Sequence, residues 1–243
     1  YQLVGTPGTS SADFARGNFL TVLLPYYEQD NIARTYDSRK HWNDVANHSA
    51  ASNRIKMFEC PSSPAERFCT PPSGWTGPNG PPTTDYANVS RAGDDAYIAG
   101  KNLGLTNPGN PFYRGCLASN LLTPFNQITD GLSNTIMLVE CSGRPNTWIQ
   151  GKITTTSSGS TGAWANNQND INVEGSTPGA TTTNVATALS PMNNTNSGEI
   201  YAFHPGGSNV VMGDGSTRFL RDSISLRALI IMCTRGGGEV NED

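Results

Sequence analysis

Two features are scarce in this sequence, charged side chains and long hydrophobic runs, and each scarcity narrows the possible functions. Asp, Glu, Lys and Arg make up 15% of the 243 residues, whereas about 25% is usual for soluble globular domains. The net charge is −4, and Lys and Arg form no cluster, so we expect no nucleic-acid partner. The longest apolar run covers residues 228–233, far short of the ~20 residues that span a membrane. Gly, Asn, Ser and Thr are abundant instead, as suits an exported protein with a polar, weakly charged surface.

The five cysteines contain no Cys-x-x-Cys pair, which argues against a zinc or redox site of that type. They are Cys60, Cys69, Cys116, Cys141 and Cys233. Two interpretations stay open: all five are buried thiols, or up to two bridges form and one thiol is left over. If bridges form, the first choice is Cys60–Cys69, which would close a short proline-rich loop in an oxidising environment.

Turn signals and alternating segments predict a single β-rich α+β domain over residues 1–243, with an antiparallel sheet, short helices and long polar loop insertions. Strands are expected at residues 55–59, 135–140, 199–203, 209–213 and 216–220. A helix capped by Asn43 is expected at 43–54, and a short helix or other buried element at 223–233. Asp214 and Gly215 form a two-residue hairpin signal. Residues 61–110 are expected to be a Pro/Gly loop region. Residues 151–198 are expected to be long surface loops or a polar β insertion that faces outward.

A set of short motifs in a fixed order gives the sequence a specific resemblance. His204 is followed by nine residues and then by Asp214 and Gly215. Around this signature lie LLPYYEQ at residues 23–29, FECPS at 58–62, TDYA at 84–87, TDGLSNTI at 129–136 with Glu140, and TRGGGEV at 234–240. Together these motifs resemble the planctomycete family of prepilin-like secreted proteins that carry a His-x9-Asp-Gly signature.

The resemblance implies a type IV pilin-like or pseudopilin-like architecture, in which a long N-terminal helix lies against an antiparallel sheet. Members of that family begin with a short leader and a hydrophobic helix, which anchors them in the membrane or packs in a filament. This sequence shows neither, so we interpret it as the head of such a protein, which would touch a membrane only through the missing helix. The resemblance brings no catalytic residues, and no enzymatic activity is expected.

His204 and Asp214 are the candidate pair for chemistry, and they have two interpretations. In the first, they form a metal site or an acid–base pair, with Glu140 or Asp130 as a further member. In the second, His204 hydrogen-bonds backbone at a turn, while Asp214 and Gly215 supply turn geometry. We favour the second and predict no metal, because a metal site normally needs three or more ligands and one of only three histidines lies here.

Asp130, Gly131, Ser133 and Asn134 are expected to form a turn whose polar side chains hold backbone N–H groups. Calcium is the one metal that such oxygen atoms suit, although the sequence has no calcium loop of the EF-hand type. Hydrolase motifs of the G-x-S-x-G and H-E-x-x-H types do not occur either.

The aromatic residues Trp75, Trp148 and Trp164 lie in loop-rich segments of the sequence. Exposed rings there could stack on sugars, although such a ring more often packs a loop onto a sheet. His41 and His48 flank the predicted helix at 43–54 and are expected to be exposed.

These features predict a non-enzymatic extracellular structural subunit of a surface filament, sheath or pseudopilus. Without the helix, an apolar sheet face along residues 135–140 and 209–212 would lack cover. We expect self-association into a homopolymer to cover it; a loose segment of the chain itself over that face is the alternative cover. The alternative is a cell-surface receptor for a solute or glycan, which needs a concave site with an aromatic floor and a polar rim.

Overall fold

The computed structural model describes residues 18–64, 67–93, 114–118, 121–156, 159–181 and 190–238. Within these residues the chain forms a five-stranded sheet, a two-stranded sheet and several short helices. This arrangement confirms the predicted β-rich α+β class. Across the described ranges, every helix is too short or too polar to cross a membrane.

The helices are short, and side chains fix where they begin. They are α1 (Phe19–Leu23), α2 (Asp30–Thr35), α3 (Val45–Ala51) and α4 (Leu226–Met232), with 3₁₀ turns at Leu24–Tyr27, Lys56–Phe58 and Phe125–Gln127. Asp44, one residue after the expected cap, accepts the N–H of Ala46 at 2.9 Å and so begins α3. Ser225 begins α4 in the same way, because its hydroxyl accepts the N–H of Ala228 at 3.1 Å.

The strand predicted at residues 55–59 is wrong, because this segment contains a 3₁₀ turn. Ile55 and Phe58 are buried, while Lys56 and Met57 between them are exposed. A spacing of three residues places side chains on the same side of a 3₁₀ turn. The sequence pattern predicts side chains that alternate between buried and exposed, but the two buried residues are three positions apart.

The larger sheet is mixed, not purely antiparallel. Its strands are β1 (Tyr86–Ala92), β2 (Ile136–Glu140), β5 (Asp170–Val173), β6 (Gly207–Met212) and β7 (Thr217–Arg221), in the order β5-β1-β2-β6-β7, while β3 (Thr147–Ile149) and β4 (Lys152–Thr155) form the smaller sheet. The pairing of β1 with β5 is parallel, and the other pairings in the large sheet are antiparallel. Gly215, at φ +83°, turns the chain between β6 and β7, as the hairpin signal predicted. The strand expected at 199–203 is reduced to an isolated bridge between Cys141 and Tyr201.

β1 lies in a segment that was expected to be a loop, and β5 lies in the segment expected to be surface loops or a polar β insertion. β1 falls within residues 61–110 and has a neighbour on each side in the sheet, and β5 falls within residues 151–198, where Ile171 and Val173 are buried. The polar insertion therefore does not face outward as a whole. Its polar side chains can be buried because they are hydrogen-bonded: the Asn194 amide donates to the carbonyls of Thr177 and Ala180, each at 2.8–2.9 Å.

Two clusters of buried side chains hold the described residues together. One lies between the inner face of the sheet and α4 and includes Val139, Val210 and Leu229. The other gathers the N-terminal helices around Trp164 and includes Phe58. The segment after Phe58 is tied to the start of β1, since the N–H of Asp85 donates to the carbonyl of Phe58 at 2.8 Å. This link brings Cys60 toward the sheet.

All five cysteines are buried free thiols, so the predicted Cys60–Cys69 disulfide is not formed. The two residues have different surroundings: Cys69 belongs to the N-terminal cluster, whereas Cys60 contacts His204. Burial raises the pKa of Cys69 to about 12 and that of Cys116 to about 11. These thiols therefore stay protonated and unreactive in the folded chain.

Candidate functional site

His204 and Asp214 do not form a pair. His204 precedes β6 and Asp214 follows it, so the six residues of this strand, about 20 Å of extended chain, separate the two side chains. The exposed carboxylate of Asp214 accepts the N–H of Ser216 at 2.9 Å and its hydroxyl at 2.6 Å. These hydrogen bonds from Ser216 lower the pKa of Asp214 and suit the predicted turn role.

His204 instead meets Glu140 and Cys60. Its Nε2 atom lies 3.0 Å from Oε1 of Glu140 and 3.5 Å from Sγ of Cys60. Its Nδ1 atom lies 3.4 Å from the hydroxyl of Ser62. Of the expected partners for His204, Glu140 is therefore present and Asp130 is elsewhere. We call the three residues Cys60, Glu140 and His204 the thiol–carboxylate–imidazole cluster.

Glu140 is a buried carboxylate, 2% exposed, placed where strand pairing stops. The ladder between β2 and β6 ends at the pair Val139 and Val210. Beyond it, Oε2 of Glu140 accepts the N–H of Asn209 at 2.7 Å and the hydroxyl of Ser208 at 3.0 Å. These bonds replace the missing ladder contacts, and they leave Oε1 facing His204.

Cys60 is held in position through its backbone. Its N–H donates to the carboxylate of Asp85 at 2.8 Å, and Asp85 is fully buried. Arg67 donates to both oxygens of Asp85 at 2.7 Å and also to the carbonyls of Pro64 and Arg144. A buried ion pair therefore ties the Cys60 segment to the start of β1.

The surroundings favour an uncharged thiol while no cation is present. Burial raises the pKa of Cys60 most, and the negative charges of Glu140 and Asp85 raise it further. Tyr86, which lies opposite Glu140 across the β1–β2 pair, has its pKa raised to about 12, mainly by burial and then by Cys60 and the same two carboxylates. The site thus concentrates negative potential that a cation would relieve.

The geometry does not suit a nucleophilic relay. Such a relay needs the nucleophile on one imidazole nitrogen and the carboxylate on the other, but Cys60 and Glu140 share Nε2 of His204. Ser62 does lie at the other nitrogen, yet at 3.4 Å it is beyond the ~3.2 Å expected of a nucleophile and its base. Three polar atoms around one point are typical of a shared ligand.

Asp130 fastens the C-terminal glycine segment. Its carboxylate accepts the N–H groups of Gly237 at 2.8 Å and Gly238 at 3.0 Å, which agrees with the predicted role in holding backbone. Asn134 differs from the prediction, because its amide donates to the carbonyl of Asp130 at 3.0 Å. Gly131 turns this segment at φ +96°, and Ser133 is exposed. Since N–H donors face both oxygens of Asp130, a calcium ion there would have to displace them.

The three tryptophans pack against other aromatic rings. Trp164 is completely buried and lies 5.8 Å from the ring of Phe58. Trp75 lies 4.5 Å from the ring of His48, and Trp148 meets Phe203 edge-on at 4.8 Å. These contacts favour loop packing over sugar stacking for all three rings.

The prediction that His48 is exposed is wrong, because its side chain is buried, only 3% exposed. Its Nδ1 atom accepts the N–H of Thr76 at 3.0 Å. Close by lies a surface depression of about 440 Å³, lined by Val45, Ser49, Ser52, Asn53, Thr76, Gly77 and Pro78. None of these lining residues is aromatic, so the depression lacks the floor expected of a glycan receptor.

The sequence of the chain matches one known protein family over most of its length. The model of the family described as "Protein of unknown function (DUF1559)" matches residues 4–227. The chain belongs to the DUF1559 family. No curated protein and no solved structure is similar enough to this DUF1559 protein to count as a match.

Several motifs behind the resemblance come together in this DUF1559 protein. FECPS supplies Cys60 and Ser62, TDYA supplies Asp85, and His204 opens the His-x9-Asp-Gly signature. With Glu140, these residues contact one another around the thiol–carboxylate–imidazole cluster. The sequence had marked the segments separately, and the fold brings them to one place.

Proposed function

We propose that this DUF1559 protein is a non-enzymatic, extracellular structural subunit: the pilin-like head of a planctomycete surface filament, sheath or pseudopilus. In this proposal the heads associate with one another into a homopolymer. The motif set supports the pilin-like relationship, and the low content of charged residues suits an exported surface. One observation carries the proposal, an apolar stripe on the outer face of the sheet.

The stripe consists of Leu138, Val211 and Phe219. Leu138 lies opposite Val211 in the β2–β6 pair. Phe219 pairs with Asn209 in the β6–β7 pair, which places it on the same face as Val211, and its ring lies over Gly207. Side chains alternate between the two faces of a strand, and the neighbours Val139 and Val210 belong to the inner core. The stripe therefore points away from that core, with Leu138 and Val211 partly exposed and Phe219 50% exposed.

A second copy of the chain is the occupant that we propose for this stripe. Among the residues that the structure describes, β7 is an edge strand of the sheet, and an edge strand can pair with another chain. Completing the burial of Phe219 would contribute about 1 kcal/mol per copy. A polymer contact is heterologous and uses this side chain once, which corresponds to roughly a 5-fold effect on the dissociation constant.

Sedimentation velocity over a concentration series tests the proposal with the full chain. We expect concentration-dependent association of the wild type and weaker association of Phe219→Ser. The matched control is Phe125→Ser, because Phe125 is also an exposed phenylalanine, 75% exposed, but lies in a 3₁₀ turn outside the sheet.

Two results would overturn the proposed assembly surface. One is a wild-type chain that stays monomeric at every concentration in the series. The other is association that Phe125→Ser weakens as much as Phe219→Ser does, which would show that any exposed aromatic ring drives it.

A further inference from the structure

We propose that the thiol–carboxylate–imidazole cluster binds one divalent transition-metal ion, with zinc as the best match. Cys60, Glu140 and His204 each offer one ligand atom, and these atoms lie within 4.8 Å of one another. Zinc binds cysteine sulfur, histidine nitrogen and carboxylate oxygen, often through three protein ligands and one open position. The proposal rests on the cluster alone and is independent of assembly through the sheet.

The distances between ligand atoms fit a tetrahedral ion. With Zn–S at ~2.3 Å and Zn–N and Zn–O near ~2.1 Å, the nitrogen lies ~3.6 Å from the sulfur and ~3.4 Å from the oxygen. Here Nε2 of His204 lies 3.5 Å from Sγ of Cys60 and 3.0 Å from Oε1 of Glu140. These two distances differ from the tetrahedral values by ~0.1 and ~0.4 Å, and the third pair, Sγ of Cys60 and Oε1 of Glu140, lies within 4.8 Å.

Neighbouring groups already orient two of the three ligands, Glu140 and His204. Ser208 and the N–H of Asn209 hold Oε2 of Glu140, which leaves Oε1 for the ion. The hydroxyl of Ser62 lies on the Nδ1 side of His204, so the tautomer protonated at Nδ1 can donate to it and direct the Nε2 lone pair at the ion. Hydrogen bonds of this kind orient metal ligands in proteins.

Charge and access also suit a divalent ion. One thiolate and one carboxylate balance two positive charges, and the thiol proton leaves to solvent on binding. The nearby charge of Asp85 is paired with Arg67. Cys60 and Glu140 are buried, whereas the His204 side chain is 25% exposed, which gives the ion an entrance. Sulfur and imidazole disfavour calcium, which takes oxygen ligands.

Cobalt substitution tests the site on the full chain, stripped of metal with a chelator under reducing conditions. Titration with Co²⁺ should give one bound ion, a thiolate-to-cobalt charge-transfer band and the visible bands of a four-coordinate complex, and Zn²⁺ should displace it. His204→Gln and Cys60→Ser should lose these signals. Ser208→Ala should weaken zinc affinity by roughly 10- to 100-fold, because it removes one bond that orients Glu140.

Matched controls separate the cluster from other thiols and imidazoles. His41→Gln and Cys69→Ala should bind cobalt as the wild type does, and circular dichroism should show that each variant is folded. His204→Gln keeps the test decisive even if Cys60→Ser unfolds, because His204 is partly exposed. Cobalt bound without the sulfur band, unchanged binding in His204→Gln, or calcium bound as tightly as zinc would each overturn the proposal.

Discussion

Substitution of Asp85 by alanine should destabilise the protein strongly, because its carboxylate is the shared acceptor of several buried donors. Arg67 donates to both of its oxygens at 2.7 Å, and the N–H groups of Cys60 and Gly143 donate at 2.8 and 3.1 Å. Asp85 is completely buried and Arg67 is 8% exposed. Bulk solvent therefore does not reach these donors while the fold is intact.

The expected loss follows from what the substitution leaves behind. Removing one partner of a buried ion pair costs about 3–5 kcal/mol, since the remaining charge stays buried without compensation. Each buried N–H left without an acceptor costs about 1–3 kcal/mol, although these costs overlap because all the donors share one group. We expect a loss of about 5 kcal/mol from a total free energy of unfolding that is about 5–15 kcal/mol for most domains.

Urea unfolding measures this loss, with tryptophan fluorescence as the probe. Trp164 is buried in the N-terminal cluster, so its emission should change on unfolding. Asp37→Ala is the matched control, because Asp37 pairs with Arg39, whose side chain is 82% exposed, and surface pairs contribute little. The double variant Arg67→Met/Asp85→Leu should be more stable than Asp85→Ala, since it leaves no unpaired charge.

Either of two outcomes would refute the reasoning about Asp85. The first is a loss below about 1 kcal/mol, the value of one ordinary hydrogen bond. The second is a double variant Arg67→Met/Asp85→Leu whose loss equals the sum of the losses measured for Arg67→Met and Asp85→Leu separately, which would show that the charges of Arg67 and Asp85 are not coupled.

Thiol reactivity and the acid sensitivity of one turn give two further tests. Iodoacetamide should modify the cysteines only after unfolding, because burial raises the pKa of their thiols, that of Cys69 to about 12. Mass spectrometry counts the alkyl groups that are added. Thiols that resist alkylation in denaturant would indicate a disulfide. Asp214→Ala should lower the melting temperature at neutral pH, and the difference from wild type should close as the pH falls. The hydrogen bonds from Ser216 depress the folded-state pKa of Asp214, so its stabilisation is present above the unfolded-state pKa and lost as the pH falls through the folded one. A difference that stays constant with pH would contradict this role.

Local signals in the sequence predicted local structure well. Asp214 and Gly215 marked the β6–β7 hairpin because a two-residue turn depends on the conformation of its own residues. β1 was missed for the opposite reason. It lies next to a proline- and glycine-rich segment, and it is specified by neighbours on both sides, β2 and β5, which the local sequence does not contain.

The candidate site depended on contacts that sequence spacing does not reveal. The sequence motifs mark His204 and Glu140 as candidate site residues. They mark Cys60 only as a partner in a disulfide that does not form. Chain separations of 144 residues between Cys60 and His204 and of 64 between Glu140 and His204 exclude any short motif. The sequence signal that could have indicated the site was the set of motifs taken together. Polar residues in distant motifs, when the local turn or strand does not explain them, can belong to one site.

The His-x9-Asp-Gly spacing is better explained by strand pairing than by a direct contact between its ends. β2 and β6 are antiparallel, so the start of β6 lies beside the end of β2, and this places His204 near Glu140. At the other end of the pair, the N–H of Asp214 donates to the carbonyl of Leu132 at 3.2 Å, just before β2 begins. The nine intervening residues therefore match the length of β2 with its flanking turns. Asp214 and Gly215 close the hairpin, and His204 is the member of the signature that reaches the thiol–carboxylate–imidazole cluster.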